Sequence, residues 1–215
     1  MPGAEGVIQF QLDFEPGPAP AAEMLVELNA WRRIFFQLGL LGQDPLRYDG
    51  FGFGNLSRRV RFPTEANSAF IISGTQTGIL AELKPHHYVT VLDCDASLNR
   101  VAAIGPIKPS SESLTHGLLY QADPAIEWVM HLHSPDIYSR QKLLSLPVTA
   151  ENALCGTPQI AMEVDRIRAN HSSSDPLLLV MGGHIDGILA FGTDPFQTGR
   201  LVVETLARAI QILSR

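Results

Sequence analysis

The sequence is short of cysteine, of basic residues and of long apolar runs, and each shortage excludes a class of protein. Cys94 and Cys155 stand far apart and in no C-x-x-C spacing, so a disulfide framework is not available and a reducing compartment suits the chain better than an oxidising one. Lysine and arginine number 16 against 22 acidic residues, a formal net charge of −6, which argues against a nucleic-acid or anionic-membrane partner. No apolar run approaches the roughly 20 residues needed to cross a bilayer, and the N-terminus has neither the basic nor the apolar region of an export signal. These absences lead to the expectation of a cytoplasmic protein whose partner is a small molecule, anionic if local dipoles outweigh net charge. What is present is enough apolar material, 45% of 215 residues, for one substantial core.

Local patterns give a mixed α/β order. Val7 to Glu15 alternate, with Ile8, Phe10, Leu12 and Phe14 on one side, as a half-buried strand does. After the proline-rich residues 16–20, the spacing of Met24, Leu28, Trp31, Phe35 and Leu38 predicts an amphipathic helix that ends near Gly39 or Gly42. Two strands with glycine-rich ends are expected between Tyr48 and Gly78, separated by a polar turn from Pro63 to Ser68, and a hairpin between Tyr88 and Ile104. Ser110 or Ser111 then reads as the N-cap of a helix with Glu112 in its first turn. A strand through His131–His133, a short helix over Asp136–Leu144 and a helix from Thr157 to about His171 follow. Two apolar strands flanking His184 come next, and the chain ends on a helix from about Asp194 to Leu213 with Phe196, Leu201, Leu206 and Ile210 as its apolar face. There is no repeat and no regular βαβ period, so the expected fold is a single-domain α/β/α sandwich with a mostly antiparallel central sheet. Residues 1–20 read as an extension carrying a strand, and 21–215 as the main domain.

The chemistry is concentrated in His131-Leu132-His133. Side chains at i and i+2 of a strand leave the same face, so both imidazoles can reach one ion, and His184, in the tight loop of GGHIDG, can complete a set of three. Three neutral imidazoles leave an ion its full charge and at least one open position, which is the arrangement of a catalytic rather than a structural site. Glu112 is the natural general base, with a helix-capping acid as the alternative reading. His116 lies one turn further along, either as support for the site or as a packed or exposed helix histidine. His86, His87 and His171 read as structural. Gly54-Asn55, Ser73 to Gly78 and Ser110-Ser111 are polar loops whose N–H groups and hydroxyls can hold an anion without a basic cluster, and Lys108 and Arg58 lie near them in sequence.

The motifs GNLS at 54–57, SGTQTG at 73–78, KPSSE at 108–112, HLHS at 131–134 and GGHIDGILAFG at 182–192 resemble, in order and spacing, those of the class II aldolase/adducin family. The resemblance runs from about Ala21 to the C-terminus and is to the fuculose-phosphate aldolase type. It implies a zinc ion, or another divalent transition metal, on His131, His133 and His184, with Glu112 as the acid/base group. It further implies phosphate recognition by Asn55, Thr77, Gly78, Ser110 and Ser111, and a homotetramer with active sites at subunit interfaces. The activity implied is a lyase that cleaves a C–C bond of a small sugar phosphate or hydroxy-keto acid through a zinc-stabilised enediolate.

Two departures bear on the reaction. His184 is followed by Ile185-Asp186-Gly187, where the family's third histidine is usually followed directly by glycine. Beyond Leu146-Pro147, where fuculose-phosphate aldolases place a tyrosine, this chain offers Glu151, which resembles the acid/base glutamate of the methylthioribulose-phosphate dehydratases. A dehydratase, decarboxylase or epimerase on the same scaffold is therefore the alternative chemistry, and a noncatalytic adducin-like module the alternative class. The N-terminal strand has no counterpart in the motif set and reads as an edge strand or an oligomer contact.

Overall fold

The computed structural model describes residues 7–62, 68–154, 157–171 and 175–213. Most of the expected turn after Pro63, and Cys155, lie outside them. The elements are β1 (Gln11–Pro16), α1 (Val26–Gln37), β2 (Gly42–Gln43), β3 (Gly52–Phe53), β4 (Asn55–Arg59), β5 (Phe70–Ser73), β6 (Tyr88–Asp95) and β7 (Arg100–Gly105), then α2 (Ser113–Ala122), β8 (Trp128–His133), α3 (Pro135–Ser139), α4 (Pro158–Arg168), β9 (Leu177–Val180), β10 (Gly187–Gly192) and α5 (Pro195–Leu213). Eight strands form one sheet in the order β1-β7-β6-β5-β4-β8-β10-β9, while β2 and β3 pair separately. Every neighbour pair in the large sheet is antiparallel except β1 with β7.

Alternation along the central strands divides the core into two layers. Val129 of β8 and Leu189 and Phe191 of β10 pack with Leu114 and Tyr120 of α2 and Ile160 and Val164 of α4. Their neighbours Trp128, Met130, Leu132, Ile188 and Ala190 point the other way, against Leu28 and Phe35 of α1, Ile137 of α3 and Val202 and Ala209 of α5. The fold is thus an α/β/α sandwich, as the class of patterns predicts. The alternating N-terminal segment adds an edge strand parallel to β7 that starts at Gln11 rather than Val7, with Phe10 buried and Leu12 and Phe14 packed against the core.

Two helices differ from their sequence patterns. In α5, Leu201 and Leu206 pack against the core as expected, but Phe196 and Ile210 are exposed, and the fully buried stripe against the sheet is Thr198, Val202, Thr205 and Ala209. Small residues let this helix lie close to the strands. The two buried threonine hydroxyls donate back to Asp194 O and Leu201 O, at 2.8 and 2.7 Å, so their burial leaves no unpaired donor. Helix α2 begins at Ser113, so Glu112 occupies the N-cap position rather than the first turn, and Ser110 and Ser111 belong to the preceding loop. The Glu112 side chain makes no capping hydrogen bond, which removes the helix-capping reading of this buried carboxylate.

Candidate metal centre

The face alternation that builds the core also aims the site. His131 and His133 leave β8 on the same side as Val129, toward the layer of α2, and Glu112 stands at the head of that helix. His184 comes from the loop between β9 and β10, whose last turn is closed by its own backbone: Met181 O accepts from His184 N–H, and His184 O accepts from Gly187 N–H. A Cβ on Gly187 would lie 2.4 Å from the His184 ring, so only glycine leaves that ring its position.

The three imidazoles converge. His133 Nε2 lies 3.2 Å from His131 Nε2 and 3.0 Å from His184 Nε2, and one ligand atom from each residue falls within 4.8 Å of the others. All three side chains are buried. Burial, with the neighbouring His131, His184 and Arg47 adding to it, holds His133 well below the usual histidine range, which favours the neutral ring whose one unprotonated nitrogen can ligate. His131 Nδ1 lies 3.2 Å from Ile188 O; donation there puts the proton on Nδ1 and leaves Nε2 as the electron-pair donor. Separations of 3.0–3.2 Å are those of nitrogens sharing one ion at about 2.0–2.1 Å each, so the donor set fits a divalent transition metal.

Beside the triad, the three polar loops meet in one small cleft open to solvent, lined by Gly52, Gly54, Asn55, Gly74 to Gly78, Ser110 and Ser111. All five residues named for anion recognition are in it. Strand register assembles it: Asn55 pairs with His131, Gly74 bridges Pro109, and Thr75 N–H donates to Lys108 O at 3.0 Å. Thr77 Oγ donates to Gly74 O at 2.9 Å, closing the loop on itself, and a Cβ on Gly78 would lie 2.3 Å from Gly42 O, so glycine is required where the two backbones touch. The buried Asn55 Oδ1 has no hydrogen-bond partner among the described residues, which leaves the Asn55 amide available to a ligand. Among the described residues no arginine or lysine lines this cleft; Lys108 is exposed, and Arg58 is held by Met24 O and the Trp128 ring.

Glu151 is exposed, and its carboxylate enters no hydrogen bond or ion pair among the described residues. Its backbone nevertheless packs against the histidine loop, because a Cβ on Gly183 would lie 2.7 Å from Glu151 O. His116 is packed rather than exposed, with Nδ1 2.7 Å from Ser57 Oγ, itself 2.7 Å from the Tyr120 hydroxyl. Sequence reasoning missed Arg47 and Tyr48. Tyr48 lies edge-on to His133 at 4.5 Å between ring centres, and its hydroxyl donates to Asp186 at 2.8 Å. The only advance signal was the unusual Ile185-Asp186 after His184.

Comparison with known proteins agrees with this geometry. The model of the Class II Aldolase and Adducin N-terminal domain matches residues 44–213, well over half of the chain. A methylthioribulose-1-phosphate dehydratase of Xanthomonas euvesicatoria pv. vesicatoria (strain 85-10) is 37% identical over 82 residues, 38% of this chain and 32% of that protein, so the match spans about a third of the relative's length. The L-fuculose-1-phosphate aldolase of Thermus thermophilus superposes with a TM-score of 0.62 at 20% identity, covering 90% of this chain and 93% of the other. A sugar-phosphate aldolase of Thermotoga maritima gives 0.62 at 14% identity, over 89% and 95% of the two chains. At these identities the structural likeness establishes the fold.

Proposed function

From the premise that the chain belongs to the class II aldolase/adducin family, we propose that it is a metal-dependent, aldolase-like lyase that cleaves a C–C bond in a small anionic hydroxy-carbonyl compound, a sugar phosphate or a hydroxy-keto acid. The observation that carries this reading is the convergence of three buried imidazoles, with His133 Nε2 3.2 and 3.0 Å from those of His131 and His184, beside a polar cleft with no basic residue among its described lining. His131, His133 and His184 would hold zinc or another divalent ion, which supplies a Lewis acid for a substrate carbonyl or hydroxyl oxygen. Backbone N–H groups of the 74–78 loop, with Asn55, Thr77, Ser110 and Ser111, orient the anionic end of the substrate and exclude water from it. Glu112, buried on the layer that His131 and His133 face, takes up or returns the proton at the substrate carbon or oxygen next to the breaking bond. A homotetramer with shared active sites belongs to the same proposal.

A second reading, a dehydratase, decarboxylase or epimerase on this scaffold, is favoured by the 37% identical segment shared with a dehydratase and by the packing of Glu151 against the histidine loop. A noncatalytic adducin-like module is disfavoured, because a scaffold gains nothing from burying three imidazoles nose to nose. Purified without chelator, the protein is expected to carry about one divalent metal per chain; none bound, and none taken up on addition, refutes the proposal. Glu112→Gln should lower turnover by a factor on the order of a thousand or more while metal content stays near wild type. Surviving activity would move the base to Glu151. Screening sugar phosphates and hydroxy-keto acids, with product analysis, separates C–C cleavage from loss of water or CO2.

A further inference from the structure

Arg47 is held in an unusual way at the edge of the candidate metal centre. Its guanidinium carbon lies 4.8 Å over the Tyr48 ring and 4.9 Å over the Phe53 ring, so it is fixed against two aromatic faces rather than free to sweep the surface. The same two rings pack on His133, at 4.5 and 5.4 Å between centres, so cation and imidazole share one aromatic wall. The Tyr48 hydroxyl accepts from Arg47 Nη2 and donates to Asp186 Oδ2. It thereby keeps the Asp186 carboxylate 3.8 Å from Arg47, beyond hydrogen-bond reach. Asp186 is itself pinned, since its carbonyl accepts from Ser134 N–H at 2.8 Å.

Tyr48 and Asp186 have φ of 51° and 61°, a left-handed conformation that residues with a side chain seldom adopt. Two departures from relaxed backbone meet in a single phenol–carboxylate contact. The result is a cation that is only partly neutralised. Among the described residues Arg47 Nε and Nη1 donate to nothing, and 28% of the side chain is exposed. The neighbouring cleft, by contrast, is lined by neutral residues alone among the described ones.

We propose that Arg47 is the carboxylate-recognition residue of this site, so that the substrate carries a carboxylate next to the oxygens that face the triad, as a 2-hydroxy or 2-keto acid does, with its other polar end in the cleft. Asp186, through Tyr48, positions the guanidinium and tempers its charge. This narrows the substrate class of the proposed function and rests on the triad being a metal site.

Glycolate is the probe, titrated calorimetrically into the cobalt(II)-loaded protein, with ethylene glycol as the uncharged analogue and inorganic phosphate as the probe of the cleft. Arg47→Gln should weaken glycolate by about tenfold or more, the loss expected when a charge-assisted hydrogen-bond pair is removed, and change phosphate affinity by less than about threefold. Asp186→Asn keeps an acceptor for the Tyr48 hydroxyl but removes the competing charge, and should tighten glycolate severalfold. Opposite signs in these two variants support carboxylate recognition. A wild-type response of Arg47→Gln, or equal weakening of glycolate and phosphate in both variants as a mere brace would give, overturns it. Arg47→Lys, which keeps the cation without the planar fork, should fall between wild type and Arg47→Gln and serves if the latter does not fold. Cobalt uptake, followed by its own visible absorption, reads the metal centre separately. Normal uptake with unchanged glycolate affinity removes only the Arg47 assignment, whereas absent uptake in the wild type removes the metal reading and this one with it.

Discussion

His116 offers a test of the buried layer behind the site that is independent of any substrate. Its ring is fully buried on α2 and lies 6.4 Å from the Phe70 ring at an interplanar angle of 27°, with Ser57 Oγ on Nδ1 and, among the described residues, no carboxylate contact to compensate a charge. Burial alone pushes its pKa down to about 3, against about 6.5 in an unfolded chain. Below pH 6.5 the unfolded chain binds a proton that the folded protein refuses, so stability is complete above that pH and declines by about 1.4 kcal/mol per unit as pH falls toward 3. Between pH 7.5 and 5.0 the loss integrates to about 2 kcal/mol, a large fraction of the 5–15 kcal/mol typical of a domain. Urea denaturation of wild type and His116→Gln at both pH values measures it. The imidazoles of the candidate metal centre are the same in both proteins, so their contribution cancels in the difference. The wild type should lose about 2 kcal/mol more than the variant on acidification. Equal losses, within about 0.5 kcal/mol, would mean that His116 is protonated in the folded state or reached by water, and would refute the reasoning.

Arg59→Met should cost about 3–5 kcal/mol in the same urea assay, because the buried guanidinium donates to Ile126 O, Tyr120 O and Asp123 O at 2.7, 2.7 and 2.8 Å, and methionine would leave these carbonyls without a donor. A loss under about 1 kcal/mol would show that water replaces the guanidinium. Gly187→Ala should lower metal affinity by about tenfold or more in a chelator competition, since the new Cβ would lie 2.4 Å from the His184 ring and the third ligand must turn. Unchanged affinity would exclude His184 from the metal centre.

How much of this was legible in the sequence depends on whether a contact is made within one element or between several. A strand period of two is a local property, so His131 and His133 could be placed on one face from their spacing alone, and the β8 register bears that out. The two apolar layers were legible for the same reason. In α5 the periodicity is half right: Leu201 and Leu206 pack against the core, but Phe196 and Ile210 are exposed and the fully buried stripe is Thr198, Val202, Thr205 and Ala209, because a helix laid close against strands is chosen by size as well as by polarity. The polar cleft was legible as three separate motifs but not as one place, since its unity comes from the Gly74–Pro109 bridge and the Asn55–His131 pairing.

Arg47, Tyr48 and Asp186 show where local reading ends. Tyr48 and Asp186 are 138 positions apart, and both hold a left-handed backbone without the glycine that would mark such a conformation in a sequence. In isolation each segment reads as an ordinary polar turn. What makes them a unit is that β10 lies beside β8 while the small β2–β3 pair folds its loop over His133, a consequence of topology that no periodicity carries. Residues that choose between related substrates sit in such loops at strand ends, where the scaffold imposes position but not identity. The candidate metal centre of this chain is therefore readable from its motifs, while contacts such as Arg47 with Tyr48 are brought together only by the assembled fold.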